Sequence, residues 1–210
     1  ILFQVIGSFV VEDEKEYIRF FGRLGQGGTP LSNDELTYSI IKHHFPEVHD
    51  RMKEITSGRA GRITSEVNLV LAALRLAKVL APWDESGSWQ IFGRPNPEFV
   101  SKLRDAFPGV RKEFCKLIPA TPVGELRKHL ESIRDQLTYH QKNNPSGLPV
   151  LMLSRLPRHL IEVLLLVESQ QPTAKPVPLP HIVLYWLLFV VDSEKAANAV
   201  FHRFSLKRED

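Results

Sequence analysis

The sequence has a single cysteine, Cys115, so no disulfide can form within the chain. This excludes the small disulfide-rich secreted folds and favours a cytoplasmic protein. A long apolar run is also missing: the longest, Ile182 to Val191, is too short to cross a bilayer, and the N-terminus has no signal-peptide pattern. We therefore expect no membrane partner, and we interpret the apolar run as a buried core helix.

A strong charge of one sign is absent as well. Lys and Arg number 27 and Asp and Glu number 24, for a net charge of +3, and the basic residues are interleaved with acidic ones. This pattern is typical of a solvated surface and gives no indication of direct nucleic-acid binding. With 210 residues, 43% of them hydrophobic, the chain can form one sizeable core or two small ones.

Only the first eleven residues, Ile1 to Val11, have a clear strand pattern of β-branched and aromatic residues. A single strand leaves backbone groups without partners. We therefore expect the natural protein to continue before Ile1, where the rest of a sheet would lie. The remaining sequence has helical periodicity, and the predicted fold class is mainly α: a helical array with a short N-terminal strand region that completes a sheet absent from this chain.

Helix start signals divide the remaining sequence into segments. Ser32 and Glu35 form a capping-box pattern, which predicts a helix to about His44. The polar, turn-rich stretch 141–149 is the predicted boundary between a subdomain at 1–140, holding the strand and a glycine loop, and a C-terminal helical subdomain at 150–210.

The glycine loop lies between two predicted helices, in the stretch Phe21-Gly22-Arg23-Leu24-Gly25-Gln26-Gly27-Gly28-Thr29-Pro30-Leu31-Ser32. It has two interpretations. It is a tight connector that needs glycine for its backbone angles, or it is an anion site in which Gly27, Gly28 and Thr29 offer N–H groups to phosphate. In the second case Phe21 and Leu31 pack beneath the loop.

The same stretch resembles a motif of the ParB-like nucleotide-dependent nucleases, the fold type of the GmrSD modification-dependent restriction enzymes. That motif is Phe-x-x-x-Asn-x-x-Gly-x-x-Leu followed by a Ser-x-x-Glu helix start. Phe21, Gly28 and Leu31 match it, and Gly25 stands where the family has asparagine. The specific resemblance covers roughly residues 17–46.

The resemblance implies that this chain is the helical C-terminal part of a phage-defence protein and lines one side of a nucleotide-dependent nuclease or NTPase site. It implies a nucleoside triphosphate with a divalent cation in the full-length protein, a missing N-terminal sheet domain as partner, and DNA contact through the parent protein. The implied nucleotide-site residues are Phe21, Gly25, Gly27, Gly28, Thr29 and Leu31. The family's Asp-Gly-Gln-Gln-Arg box and His-Asn-His motif do not occur in this sequence. No catalytic residue is therefore assigned, and we expect the chain alone to be inactive.

A different class of function is also compatible with the sequence. The chain would then be a helical protein-interaction or dimerisation module without a catalytic role, whose grooves receive a partner protein, the rest of the parent protein or a second copy. This alternative predicts an exposed apolar patch larger than a lone monomer tolerates.

Two further residue patterns are given structural interpretations. The spacing of His43, His44, His49 and Asp50 is unsuited to a metal site, because adjacent histidines point to different faces of a helix. We expect no metal there. Cys115 lies on an amphipathic helix and is interpreted as a small buried hydrophobe.

Overall fold

The computed structural model describes residues 32–57, 63–81, 93–118, 125–170 and 178–206. These segments contain isolated β-bridges but no strand, so the mainly α class is confirmed for them. The predicted strand at 1–11 lies outside the described residues. The helices of the described segments are α1 (Asn33–His44), α2 (Glu47–Ser57), α3 (Glu66–Leu80), α4 (Pro97–Ala106), α5 (Pro108–Leu117), α6 (Glu125–Leu137), α7 (Val150–Leu153), α8 (Arg158–Ser169), α9 (Leu179–Phe189) and α10 (Ser193–Leu206).

The start of α1 is the predicted capping box. The Ser32 hydroxyl accepts a hydrogen bond from the Glu35 N–H at 3.3 Å, and the Glu35 carboxylate accepts one from the Ser32 N–H at 2.8 Å. The hydrogen bonds from the Ser32 backbone and side chain lower the pKa of Glu35. Two orphan donors of the first turn are thereby satisfied, and the helix ends at His44 as predicted.

Two later helices begin at side-chain caps of the same kind. Ser65 accepts from the Asn68 N–H at 3.3 Å at the start of α3. Asn96 accepts from the Phe99 N–H at 2.8 Å at the start of α4, where Pro97 occupies the first turn. These caps set where each helix begins before any tertiary packing is considered.

The core is built around α3 and α8. Helix α3 is apolar on nearly all sides and is buried from Leu69 to Val79, as expected of a helix with that composition. It packs against α1, α2, α5, α8 and α10, while α8 also packs against α6 and α9. The buried side chains form one cluster that includes helices on both sides of 141–149. The division into 1–140 and 150–210 stays a prediction.

The predicted link between the two subdomains is closed by backbone hydrogen bonds. Tyr139 donates its N–H to the carbonyl of Leu148 at 2.8 Å, and His140 and Asn144 exchange N–H···O bonds at 2.9 and 2.8 Å. The Asn144 side chain also donates to the carbonyls of Gln136 and Thr138. This segment is therefore an internally bonded turn at the end of α6.

The interpretation of the apolar run 182–191 as a buried core helix is wrong for half of that helix. Leu179, Val183 and Trp186 form a buried stripe along α9. Leu184 and Leu188, on the opposite side, are more than half exposed. The reason is packing: α9 contacts α6 and α8, which cover one side only.

Candidate functional site

The residues predicted to bind a nucleotide lie outside the described residues: Phe21, Gly25, Gly27, Gly28, Thr29 and Leu31. What the structure describes is the helix that follows them. The first turn of α1 is one end of a group of charged side chains, which we call the ionic cluster. Its members are Asp34, Arg75, Arg94, Arg158, His159 and Glu162.

Glu162 is the centre of the ionic cluster. One carboxylate oxygen lies 2.5 Å from Nη1 of Arg75, and the other lies 2.6 Å from Nε of Arg94. Nδ1 of His159 is 3.3 Å from the first of these oxygens. The Glu162 and Arg75 side chains are almost completely buried, so these hydrogen bonds replace the water that both charges lose on folding.

Asp34 continues the cluster toward the surface. Its Oδ2 lies 2.5 Å from Nη1 of Arg94 and 2.6 Å from Nη1 of Arg158. Arg158 and Glu162 are one turn apart on α8, so the contacts close into a ring that runs from α8 through Arg94 and Asp34 and back to α8. This ring fixes the first turn of α1, directly after the glycine loop, against α8.

Two asparagines and an aromatic ring complete the surroundings. Asn198 on α10 accepts a hydrogen bond from Arg75, and Asn68 on α3 accepts one from Arg94 at 3.2 Å. The Arg75 guanidinium also stacks 4.1 Å from the ring centroid of Phe201. Guanidinium groups are suited to such sites because they bond in a plane and stack on aromatic faces.

The electrostatics keep Glu162 ionised. Burial raises its pKa, but the hydrogen bond with His159 and the positive charges of Arg94 and Arg75 outweigh burial and lower the pKa to about 2. Burial also lowers the pKa of Arg75, and this effect exceeds the opposing effect of Glu162. Because both Glu162 oxygens are engaged by cations, the cluster is arranged to hold helices together and to order nearby residues.

The ionic cluster was not predicted from the sequence, although one local signal is present. Arg75 is the one charged residue in the stretch 69–77, and Glu162 is the one charged residue in the stretch 160–167. Charged residues are almost never fully buried without a partner. Two opposite charges, each inside an apolar stretch of a helix, therefore indicate a buried pair, but they do not say which helix faces which.

A buried lysine adjoins the ionic cluster. Nζ of Lys78 lies 4.5 Å from the ring centroid of Phe99, and the side chain is almost fully buried. Burial, together with the positive charge of Arg75, lowers the pKa of Lys78 to about 8. Its position next to the ring gives the ammonium a favourable cation–π contact.

The structure also describes the histidines and the cysteine that the sequence singled out. His49 lies 3.4 Å from the Tyr38 hydroxyl and 3.7 Å from a Glu66 oxygen. The described part of the chain has no group of three or more His, Cys, Asp or Glu placed to hold a metal ion.

The interpretation of Cys115 as buried is wrong: it is exposed, because α5 directs Phe114 to the core and the next residue lies about 100° around the helix.

A second candidate site is apolar. Leu184, Tyr185, Leu187, Leu188, Phe189 and Val191 form what we call the outward face of α9, the last of them just after the helix ends. Each is about half to fully exposed. The Tyr185 and Phe189 rings pack on each other with centroids 5.3 Å apart.

None of the described helices has the length and apolar character needed to span a membrane. Comparison of the chain with protein-family models, with curated proteins and with solved structures finds no match.

Proposed function

We propose that this chain is the helical C-terminal part of a GmrSD-like, ParB-type nuclease and lines one side of its nucleotide site. The observation that supports the proposal is the ordered helix start directly after the glycine loop. The motif continues into a Ser-x-x-Glu capping box, and Ser32 and Glu35 form that box. In this proposal Gly27, Gly28 and Thr29 donate N–H groups to phosphate oxygens.

The ionic cluster supplies the rigidity that such a site requires. A backbone phosphate site works when its donors are held in position before the ligand arrives. Asp34, three residues after Leu31, is bonded to Arg94 and Arg158. Arg158 is half exposed and has five N–H donors. Nη1 bonds Asp34 and Nε bonds His159, so N–H groups remain for a phosphate.

The parent protein would supply the remaining parts of the site. The resemblance assigns the catalytic box to the missing sheet domain, and a divalent cation would accompany the nucleoside triphosphate there. DNA cleavage is proposed for the parent protein only. This chain contributes the side of the nucleotide site that contacts the phosphates.

Titration of the full-length protein with ATP and with GTP, each with Mg²⁺, tests the proposal. We expect Gly28→Val to abolish binding and Arg158→Gln to weaken it about tenfold. Gly93→Val and Arg155→Gln are the matched controls. A Cβ at Gly93 meets no atom within 4 Å, and Arg155 is an exposed arginine three residues from Arg158.

Circular dichroism establishes whether each variant is folded. A folded Gly28→Val protein that binds both nucleotides like the unmodified protein would contradict the proposed site. Equal weakening by Arg158→Gln and Arg155→Gln would remove the assigned role of Arg158.

A second function of a different class is favoured by the outward face of α9. The chain would act as a helical interaction module whose apolar surface binds another protein. The two proposals use different parts of the molecule, since α9 contributes no residue to the ionic cluster.

A further inference from the structure

Helix α9 is apolar on both sides, yet its neighbours cover only one. From Leu179 to Val191 the sequence contains no Asp, Glu, Lys or Arg. Leu179, Val183 and Trp186 are buried, and Leu184 and Leu188 lie on the opposite side. A helix at a protein surface normally has polar residues on the side that faces water. The composition of α9 is that of a helix covered on both sides.

The size of the exposed surface is that of a protein interface. The exposed fractions of its six side chains correspond to roughly 700 Å² of mainly apolar surface on the outward face. The largest apolar patch on a typical monomer is about 300–600 Å². One side of a standard stable interface is about 800 Å².

The chemistry of the outward face suits a second copy of the same chain. In a two-fold symmetric contact the same surface of each copy meets that of its partner, so a face with charge of one sign would repel itself. The outward face has no charged residue, and Leu184, Tyr185 and Leu188 lie at its centre by helical spacing. Its aromatic pair, Tyr185 and Phe189, is of the type enriched at interface cores.

We propose that two copies of the chain form a dimer through the outward face of α9, with the two α9 helices packed antiparallel across a two-fold axis. Leu184 and Leu188 of each copy lie at the centre of this contact. The inference rests on the second proposed function, the interaction module, and names its partner.

Sedimentation of the full 210-residue chain at micromolar concentration tests the proposal. We expect a dimer for the unmodified chain, and we expect Leu188→Glu to raise the dimer dissociation constant about 100-fold or more, because it places a charge in the centre of each half of the contact. Leu151→Glu is the matched control. Leu151 is 81% exposed on the short helix α7, so the same change there should leave the dimer intact.

Cross-linking adds a geometric test. A two-fold axis near Leu188 brings the two copies of this residue together, so Leu188→Cys in a Cys115→Ser background should form an intermolecular disulfide on mild oxidation. Leu151→Cys in the same background should remain reduced. Cross-linking of both variants to the same extent, or equal dissociation by both glutamate variants, would overturn the assigned interface.

A monomeric unmodified chain would overturn the dimer, and three further readouts separate the reasons. Binding of an apolar dye that Leu188→Glu abolishes would show an open face that awaits a different protein, leaving the interaction module in place. Co-sedimentation with phosphatidylcholine vesicles, also lost in Leu188→Glu, would assign the face to a lipid surface. The third readout is the melting temperature. If the unmodified chain binds no dye and Leu188→Glu melts at a lower temperature, other residues of the same chain cover the outward face. That result would overturn both the dimer and the interaction module.

Discussion

Arg75 and Glu162 are 87 positions apart in sequence, and their side chains meet at 2.5 Å with 0% and 1% of their surfaces exposed. The pair joins α3 to α8, the two helices around which the core is built. Ion pairs in such sites have lost most of their hydration, so their contribution depends on complete hydrogen bonding. Here the second carboxylate oxygen of Glu162 is bonded to Arg94.

Removing one partner of this pair should destabilise the protein more than removing both. We expect Glu162→Leu to lower the free energy of unfolding by about 3–5 kcal/mol, because it leaves Arg75 as a buried charge without its carboxylate. The double variant Arg75→Met/Glu162→Leu should recover part of that loss. Urea denaturation measures both values.

The control is the exposed pair of Lys102 and Glu98 on α4. The Nζ of Lys102 and the Oε1 of Glu98 are 2.8 Å apart, but the two side chains are 48% and 65% exposed. Lys102→Met should therefore change stability little. A double variant at Arg75 and Glu162 that is less stable than Glu162→Leu would contradict the argument from desolvation.

The low pKa of Glu162 predicts loss of stability in acid. The folded-state pKa is about 2 against an ordinary value of 4.5, so the unfolded chain binds a proton at this site before the folded chain does. The stabilisation by ionised Glu162 is complete above about pH 4.5 and is lost as the pH falls toward 2. Urea denaturation between pH 5 and 2 should give a shallower pH dependence for Glu162→Gln than for the unmodified chain. Equal slopes would show that Glu162 is not the titrating group.

Features that depend on residues close together in sequence were predicted, and features that depend on residues far apart in sequence were not. The start of α1 depends on Ser32 and Glu35, three residues apart, and it was predicted correctly. The pairing of Arg75 with Glu162 depends on how two helices face each other, which no local pattern contains.

The two errors have the same origin. The sequence of α9 shows that it is apolar, but it does not show how many of its sides have neighbours, so its exposed half was missed. Cys115 was placed in the core because Phe114 and Leu117 flank it, whereas the helix turns the thiol away from them. The predicted nucleotide residues, Phe21 to Leu31, stay predictions because they lie outside the described residues.

Lys78 predicts a second rise of stability with pH, at the alkaline end. Its pKa in the folded chain is about 8 against an ordinary 10.5, so between these values the unfolded chain binds more protons than the folded chain. The free energy of unfolding should therefore rise as the pH increases from 8 toward 10. Above pH 10 the effect of Tyr38, whose pKa is raised to about 12 by burial and by Glu66, opposes this rise.

Comparison of the unmodified chain with Lys78→Met isolates this contribution. Methionine preserves much of the side-chain volume and has no charge to desolvate, so the variant should lack the rise between pH 8 and 10. The exposed Lys112, changed to methionine, is the control and should keep it. An unchanged slope in Lys78→Met would assign the rise to another group.

Cys115 should react with thiol reagents in the folded chain, but slowly. The residue is exposed, but neighbouring protein atoms remove part of the water around the thiol. This partial desolvation outweighs the positive charge of Arg111 and raises the pKa of the thiol above its usual value. Because the thiolate is the reactive form, the rate with a disulfide reagent at pH 7.5 should be below that of free cysteine and should rise toward pH 9. Cys115→Ser should abolish the reaction. Reaction faster than that of free cysteine would point to an activated thiol.

Gly147 and Gly93 are two described glycines with opposite surroundings. An alanine Cβ at Gly147 would lie 2.5 Å from the backbone carbonyl of Thr138 and from the Tyr139 nitrogen, and these backbone atoms cannot move without disturbing the hydrogen bond from Tyr139 to Leu148. A Cβ at Gly93 would meet no atom within 4 Å. Gly147→Ala should therefore cost about 1–3 kcal/mol through steric overlap. For a chain of this size the melting temperature would fall by roughly 3–10 °C.

Gly93→Ala should leave the melting temperature unchanged or raise it slightly, because alanine reduces the conformational freedom of the unfolded chain at no steric cost in the folded one. Differential scanning calorimetry of the two variants compares the same chemical change at a closed and an open position. Similar melting temperatures for both would mean that the turn at 138–148 can open to admit a methyl group, and the close approach of Gly147 to Thr138 would then contribute nothing to how α6 ends.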